Sequence, residues 1–100
     1  MKYRLLFPTP SLEDKFHKLL VKLPRKVQDA IMDTTAGLAG NPYPQGKNIF
    51  KKLTPPVKLV QYTAQYRLRI GDYRVLYDVD ETKKIVWVFV LRKRGEDTYK

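Results

Sequence analysis

Two short runs of alternating residues, Tyr66-Arg67-Leu68-Arg69-Ile70 and Tyr73-Arg74-Val75-Leu76-Tyr77-Asp78-Val79, flank the dipeptide Gly71-Asp72. A Gly-X pair between such runs predicts an antiparallel hairpin closed by a two-residue type II′ turn, because glycine supplies the positive φ that the first turn position demands. A loop of fixed length also sets the register. Ile70 then faces Tyr73, Arg69 faces Arg74, Leu68 faces Val75 and Arg67 faces Leu76. Strand side chains alternate between faces, so Tyr66, Leu68, Ile70, Tyr73, Val75 and Tyr77 point one way and Arg67, Arg69 and Arg74 the other.

The rest of the chain is read around this hairpin. Lys2 to Phe7 forms a first strand, stopped by Pro8 and Pro10. Ser11 is the expected N-cap of a helix whose apolar stripe is Leu12, Phe16, Leu19, Leu20 and Leu23, and Pro24 ends it. A second helix starts at Pro24, carries Val27, Ala30, Ile31 and Leu38, and ends at Gly40-Asn41-Pro42. Residues 42–61 hold four prolines and no clean period, which reads as an extended connection in which Lys51-Lys52-Leu53 either begins a strand or lies against the sheet edge. After the polar turn Asp80-Glu81-Thr82-Lys83, Ile85 to Leu91 supplies a last strand. If Val79 pairs with Lys84, Trp87, Phe89 and Leu91 join the arginine face. The expectation is an α+β fold in one domain over residues 1–100, ordered β-α-α-β-β-β, with a helical hairpin packed on one face of an antiparallel sheet.

Composition then narrows the chemistry. Twenty Lys and Arg oppose ten Asp and Glu, a net charge of +10 on 100 residues. Self-repulsion of that size fits a chain that meets a polyanion or an acidic protein. There is no cysteine and a single histidine, His17, so thiolate and multi-histidine metal sites are excluded. His17 reads as a helix-surface residue. Asp78, Asp80 and Glu81 read as turn formers and solubilising charges, and Tyr66, Tyr73 and Tyr77 as core. No run approaches the roughly 18 to 20 apolar residues of a membrane span, and residues 1–10 lack a signal-peptide core, so cytoplasmic residence without membrane attachment is the expectation.

Like charges directly opposite on a sheet cost a few tenths to about 1 kcal/mol, and the adjacent strand offers Arg69 and Arg74 no carboxylate. Three arginines beside large apolar groups suit a surface that a partner covers or that stacks bases.

The tracts QYRLRIGDYRVLYDVD (Gln65 to Asp80) and LRKRGEDTYK (Leu91 to Lys100), together with the order of elements, resemble the RelE/ParE toxin superfamily. The resemblance implies the toxin half of a type II toxin–antitoxin pair, and in the RelE branch a ribonuclease cleaving mRNA at the ribosomal A site by attack of a ribose 2′ oxygen on its own phosphate, without metal or other cofactor. It puts Arg67 and Arg69 against the scissile phosphate, Arg74 against the phosphorane charge, Arg94 as donor to the leaving 5′ oxygen and Tyr99 as orienter of the nucleotide. Simple alternation from Phe89 leaves Lys93 as the alternative to Arg94, and arginine where relatives commonly have lysine leaves the general base unassigned. Lys51, Lys52 and Lys93 are the expected RNA-binding lysines. The implied partners are a cognate antitoxin, mRNA and the ribosome, with a monomeric toxin that assembles further only with its antitoxin. Two other readings stay open, a ParE-like inhibitor of DNA gyrase and a relative that binds RNA or antitoxin without cutting.

Overall fold

The computed structural model describes residues 2–46 and 49–93. Their elements are β1 (Arg4–Leu6), α1 (Pro10–Leu20), α2 (Arg25–Ala36), a 3-10 turn (Gly37–Ala39), β2 (Phe50–Leu59), β3 (Tyr62–Ile70), β4 (Tyr73–Asp80) and β5 (Ile85–Lys93). The strands form one sheet in the order β1-β5-β4-β3-β2. The α+β class and the helical hairpin are as expected. The sheet is mixed rather than wholly antiparallel, because β1 runs parallel to β5, pairing Arg4 with Ile85 and Leu6 with Trp87. A parallel pairing needs a long crossover, which the two helices and the remaining strands supply.

The helix start differs from expectation by two residues. Thr9, not Ser11, is the N-cap: its Oγ1 accepts the backbone N–H of Leu12 at 3.1 Å. Pro10 then occupies the first helical turn, where a missing N–H costs nothing and its fixed φ already suits the helix. Pro24 caps α2 through its carbonyl, which accepts from Val27 and Gln28.

The main core lies between the helices and one sheet face. Phe16, Leu20, Ile31 and Leu38 from the helical layer meet Leu68, Val75, Tyr77, Val86, Val88 and Leu91 from the sheet. Each such side chain contributes about 1.5–3 kcal/mol on full burial. Tyr77 also places its hydroxyl inside, donating to the Pro42 carbonyl at 2.6 Å. This bond ties the segment after the helices to the middle of β4.

The opposite sheet face carries a second, smaller core of Leu53, Val57, Ala64, Leu76 and Phe89, joined by Leu12, Tyr62, Trp87 and Val90. Leu53, Val57 and Leu59 in it come from β2, the segment left undecided by its prolines. Phe50 to Lys52 pair with Tyr66 to Leu68, the register shifts, and Val57 to Leu59 then pair with Tyr62 to Ala64. Pro55 and Pro56 fall within that irregularity on an edge strand, where a missing donor is tolerated.

At the far end, Glu81 gathers three partners. Tyr3 donates to it at 2.8 Å, Lys84 at 3.0 Å, and Tyr43 donates to its other oxygen. These bonds hold its carboxyl down at about 2, far below the ordinary 4.5.

Candidate functional site

The hairpin registers as the Gly71-Asp72 loop requires. Ile70 faces Tyr73, Arg69 faces Arg74, Leu68 faces Val75 and Arg67 faces Leu76. Gly71 sits at φ +58°, the one positive φ in the turn, which is the type II′ pattern. Arg67, Arg69 and Arg74 therefore share the face opposite the main core.

The fourth member of the group comes from β5 and is not among the sequence candidates. Pairing across β4 and β5 runs Val79 with Val86, Asp78 with Trp87 and Tyr77 with Val88, then jumps to Leu76 with Val90, Val75 with Leu91 and Arg74 with Arg92. One extra residue in β5 is a β-bulge, and it changes the phase of everything after it. Phe89 and Val90 both belong to the second core. Leu91 consequently turns to the helix side, which corrects the expectation that it would join the arginines. Val79 pairs with Val86, not Lys84, and Trp87 and Phe89 do lie on the arginine side. Arg92 takes the place that unbroken alternation reserved for Leu91 and Lys93.

Arg69, Arg74 and Arg92 thus form a row across β3, β4 and β5. With strands about 4.8 Å apart, the row spans roughly 10 Å at the backbone. The next row holds Lys51, Arg67, Leu76 and Val90. Four arginines and a lysine lie together, and the arginines are half-buried while Lys51 is exposed. Lys52 pairs with Tyr66 and Lys93 with Tyr73, so both belong to the helix-side face. Arg94 and Tyr99 lie outside the described residues.

Arg92 also lines a cleft of about 700 Å³, together with Leu12, Lys15, Lys58, Tyr62 and Val90 among others. A smaller cleft of about 410 Å³ adjoins it, with Gln61 and Tyr62 in both walls. Among the described residues, no three His, Asp or Glu side chains converge as a metal site. No helix among them is long and apolar enough to cross a membrane. What the arrangement offers is concentrated positive charge in planar, multi-donor form, suited to phosphate oxygens.

This topology has known counterparts. Residues 6–98 match the family model of the ParE toxin of type II toxin–antitoxin systems. Among solved structures, the archaeal RelE–RelB complex from Pyrococcus horikoshii OT3 is 28% identical, covers 97% of this chain and 100% of its own, and superposes with a TM-score of 0.71. The toxin–antitoxin complex RelBE2 from Mycobacterium tuberculosis shares the fold at 23% identity and a TM-score of 0.62, covering 94% of this chain and 100% of its own. No curated protein sequence matches. The chain belongs to the ParE toxin family of type II toxin–antitoxin systems, within the RelE/ParE superfamily.

Proposed function

We propose that this toxin is a metal-independent endoribonuclease that cuts mRNA at the ribosomal A site. One observation carries the reading: Arg69, Arg74 and Arg92 stand side by side on three neighbouring strands, with Arg67 and Lys51 in the next row. A cluster of like charges is unfavourable for folding alone. It is useful where negative charge develops on a phosphoryl group.

In the proposed reaction a ribose 2′ oxygen attacks its own phosphorus. The 2′ proton leaves to a base, the P–O5′ bond breaks, and the 5′ oxygen takes a proton. The products are a 2′,3′-cyclic phosphate and a 5′ hydroxyl. Arg67 and Arg69 hold the phosphate in line, and Arg74 meets the charge of the phosphorane. Arg92 adds a donor beside Arg74. The proton for the 5′ oxygen is assigned to Arg94, since Lys93 stands on the other face, and Tyr99 orients the nucleotide. A cognate antitoxin, acidic or amphipathic, covers the basic face, and the toxin acts as a cytoplasmic monomer when released.

The test is induced expression followed by mapping of mRNA 5′ ends. Cleavage at defined codon positions is expected, and Arg74→Ala should lower it by about 10²–10³-fold while leaving the fold intact. Unaffected messages and unaffected growth on induction would refute the nuclease.

A second reading has one observation in its favour, that the matching family model is the ParE one. On that reading the same face engages DNA gyrase. Intact message with accumulating DNA breaks would select it.

A further inference from the structure

Beyond the arginine row, the same sheet face carries a feature that phosphate chemistry leaves unused. Trp87 and Asp78 are paired across β4 and β5, so their Cβ atoms lie about 5 Å apart. Both are half-buried and line the smaller cleft with Pro8, Gln61, Tyr62 and Phe89. Tyr62 stacks on Phe89 at 5.3 Å between ring centroids, their planes 23° apart. Four register positions separate Asp78 from Arg74, or about 13 Å at the rise of a strand. The larger cleft is lined by Arg92 and shares Gln61 and Tyr62 with the smaller one.

Asp78 is the unexpected member. In a chain with twenty cationic side chains, it makes no ion pair among the described residues and has the backbone N–H of Val79 as its help. Shielding from water lifts its carboxyl above the ordinary range, and Asp80 pushes the same way. An ionised carboxylate is an acceptor only, with two oxygens to offer. Beside it stands an indole, the kind of ring that serves as a sequence-tolerant stacking platform for any base. Together they fit a flat ring that presents two adjacent N–H donors at its edge. Among the RNA bases that is guanine, through N1–H and N2–H. Cytosine and adenine present one amino group there, and uracil one imide N–H.

We propose that the Trp87–Asp78 cleft is a nucleobase subsite selective for guanine, placed to read a nucleotide flanking the one whose phosphate lies on the arginine row. Its position rests on the reading of that row as an RNA site, whereas its chemistry does not. Trp87 stacks the base, Asp78 accepts its two edge donors, and the Gln61 amide borders the same cleft.

Trp87 is the one tryptophan of the chain, so its emission reports on this cleft alone. The experiment titrates the full chain with guanosine, adenosine, cytidine and uridine monophosphates, then with labelled single-stranded RNA, all-uridine or with one central guanosine. Trp87 emission and fluorescence anisotropy are read together. Guanosine monophosphate should quench Trp87 most strongly, and the guanosine-containing strand should bind about 5- to 150-fold tighter than the all-uridine one, the fold-change of one good bidentate contact. Asp78→Asn should erase that preference. Trp87→Phe should keep the preference in anisotropy, since a ring remains for stacking.

RNA binding by anisotropy with no response of Trp87 and no preference for guanosine would overturn the subsite and leave the arginine row standing. Quenching by guanosine monophosphate, lost in Asp78→Asn, without binding of any strand would uphold the subsite and remove the row. A response to polyglutamate and to no nucleotide would refute the subsite and give the cleft to a protein partner.

Discussion

Removing one arginine from the row should make the protein more stable and less able to hold RNA, and Arg69→Gln isolates the effect. Arg69 is at the end of the row and faces Arg74 directly. Glutamine keeps part of the aliphatic stem and the hydrogen-bonding tip while deleting the charge. One like-charge pair directly opposite on a sheet costs about 0.2–1 kcal/mol. For a domain of this size 1 kcal/mol moves Tm by roughly 4–8 °C, so a rise of about 1–8 °C is expected at low salt. Screening shortens to about 3 Å at 1 M ionic strength, and the gain should shrink accordingly. The same substitution should weaken binding of a single-stranded RNA and lower the slope of log K against log salt by about 0.7, one phosphate contact. The assay is thermal denaturation at low and high salt, followed by anisotropy titration across a salt series. A variant no more stable than the parent, or stabilised equally at 1 M salt, would refute the claim that these guanidinium groups work against each other.

Tyr77→Phe deletes the hydroxyl that donates to the Pro42 carbonyl and leaves a buried acceptor unpaired, at a cost of about 1–3 kcal/mol. Its urea midpoint should fall with little change in slope, and an unchanged midpoint would show that the bond is not formed. Glu81 titrates at about 2 when folded against an ordinary 4.5, so its contribution is fully present above pH 4.5 and is lost as pH falls toward about 2. In acid denaturation Glu81→Gln should flatten the stability curve across that window, and an identical curve would sink the assignment.

How far the sequence could be read depended on whether local geometry or distant packing decided each element. The β3–β4 register was legible because a two-residue loop leaves no freedom and alternation does the rest. Arg67, Arg69 and Arg74 could be grouped on that basis alone. Arg92 could not, because Ile85 to Leu91 is apolar throughout and carries no polar beat from which to detect a change of phase. A visible signal did exist: Arg92 follows that run, and one skipped position aligns it with Arg74. β2 was obscured by prolines that its edge position and register shift accommodate. The parallel pairing of β1 joins residues about eighty positions apart, beyond the range of any local pattern. Thr9 lost to Ser11 in the reading because Pro10 looked like a strand stop when it was serving as a helix start.

The unpaired position at Phe89 has a consequence for how this chain can vary. Between Trp87 and Arg92 the strand counts an odd number of steps, yet both ends look out on the same side. Loss of Phe89 would make the pairing regular and leave Leu91 and Arg92 opposite Val75 and Arg74 as they are, whereas pairing the full strand without the extra position would send Leu91 outward and turn Arg92 toward the main core. What keeps Arg92 beside Arg74 is therefore the extra position between Val88 and Val90, and conservative exchanges at Phe89 leave that parity untouched.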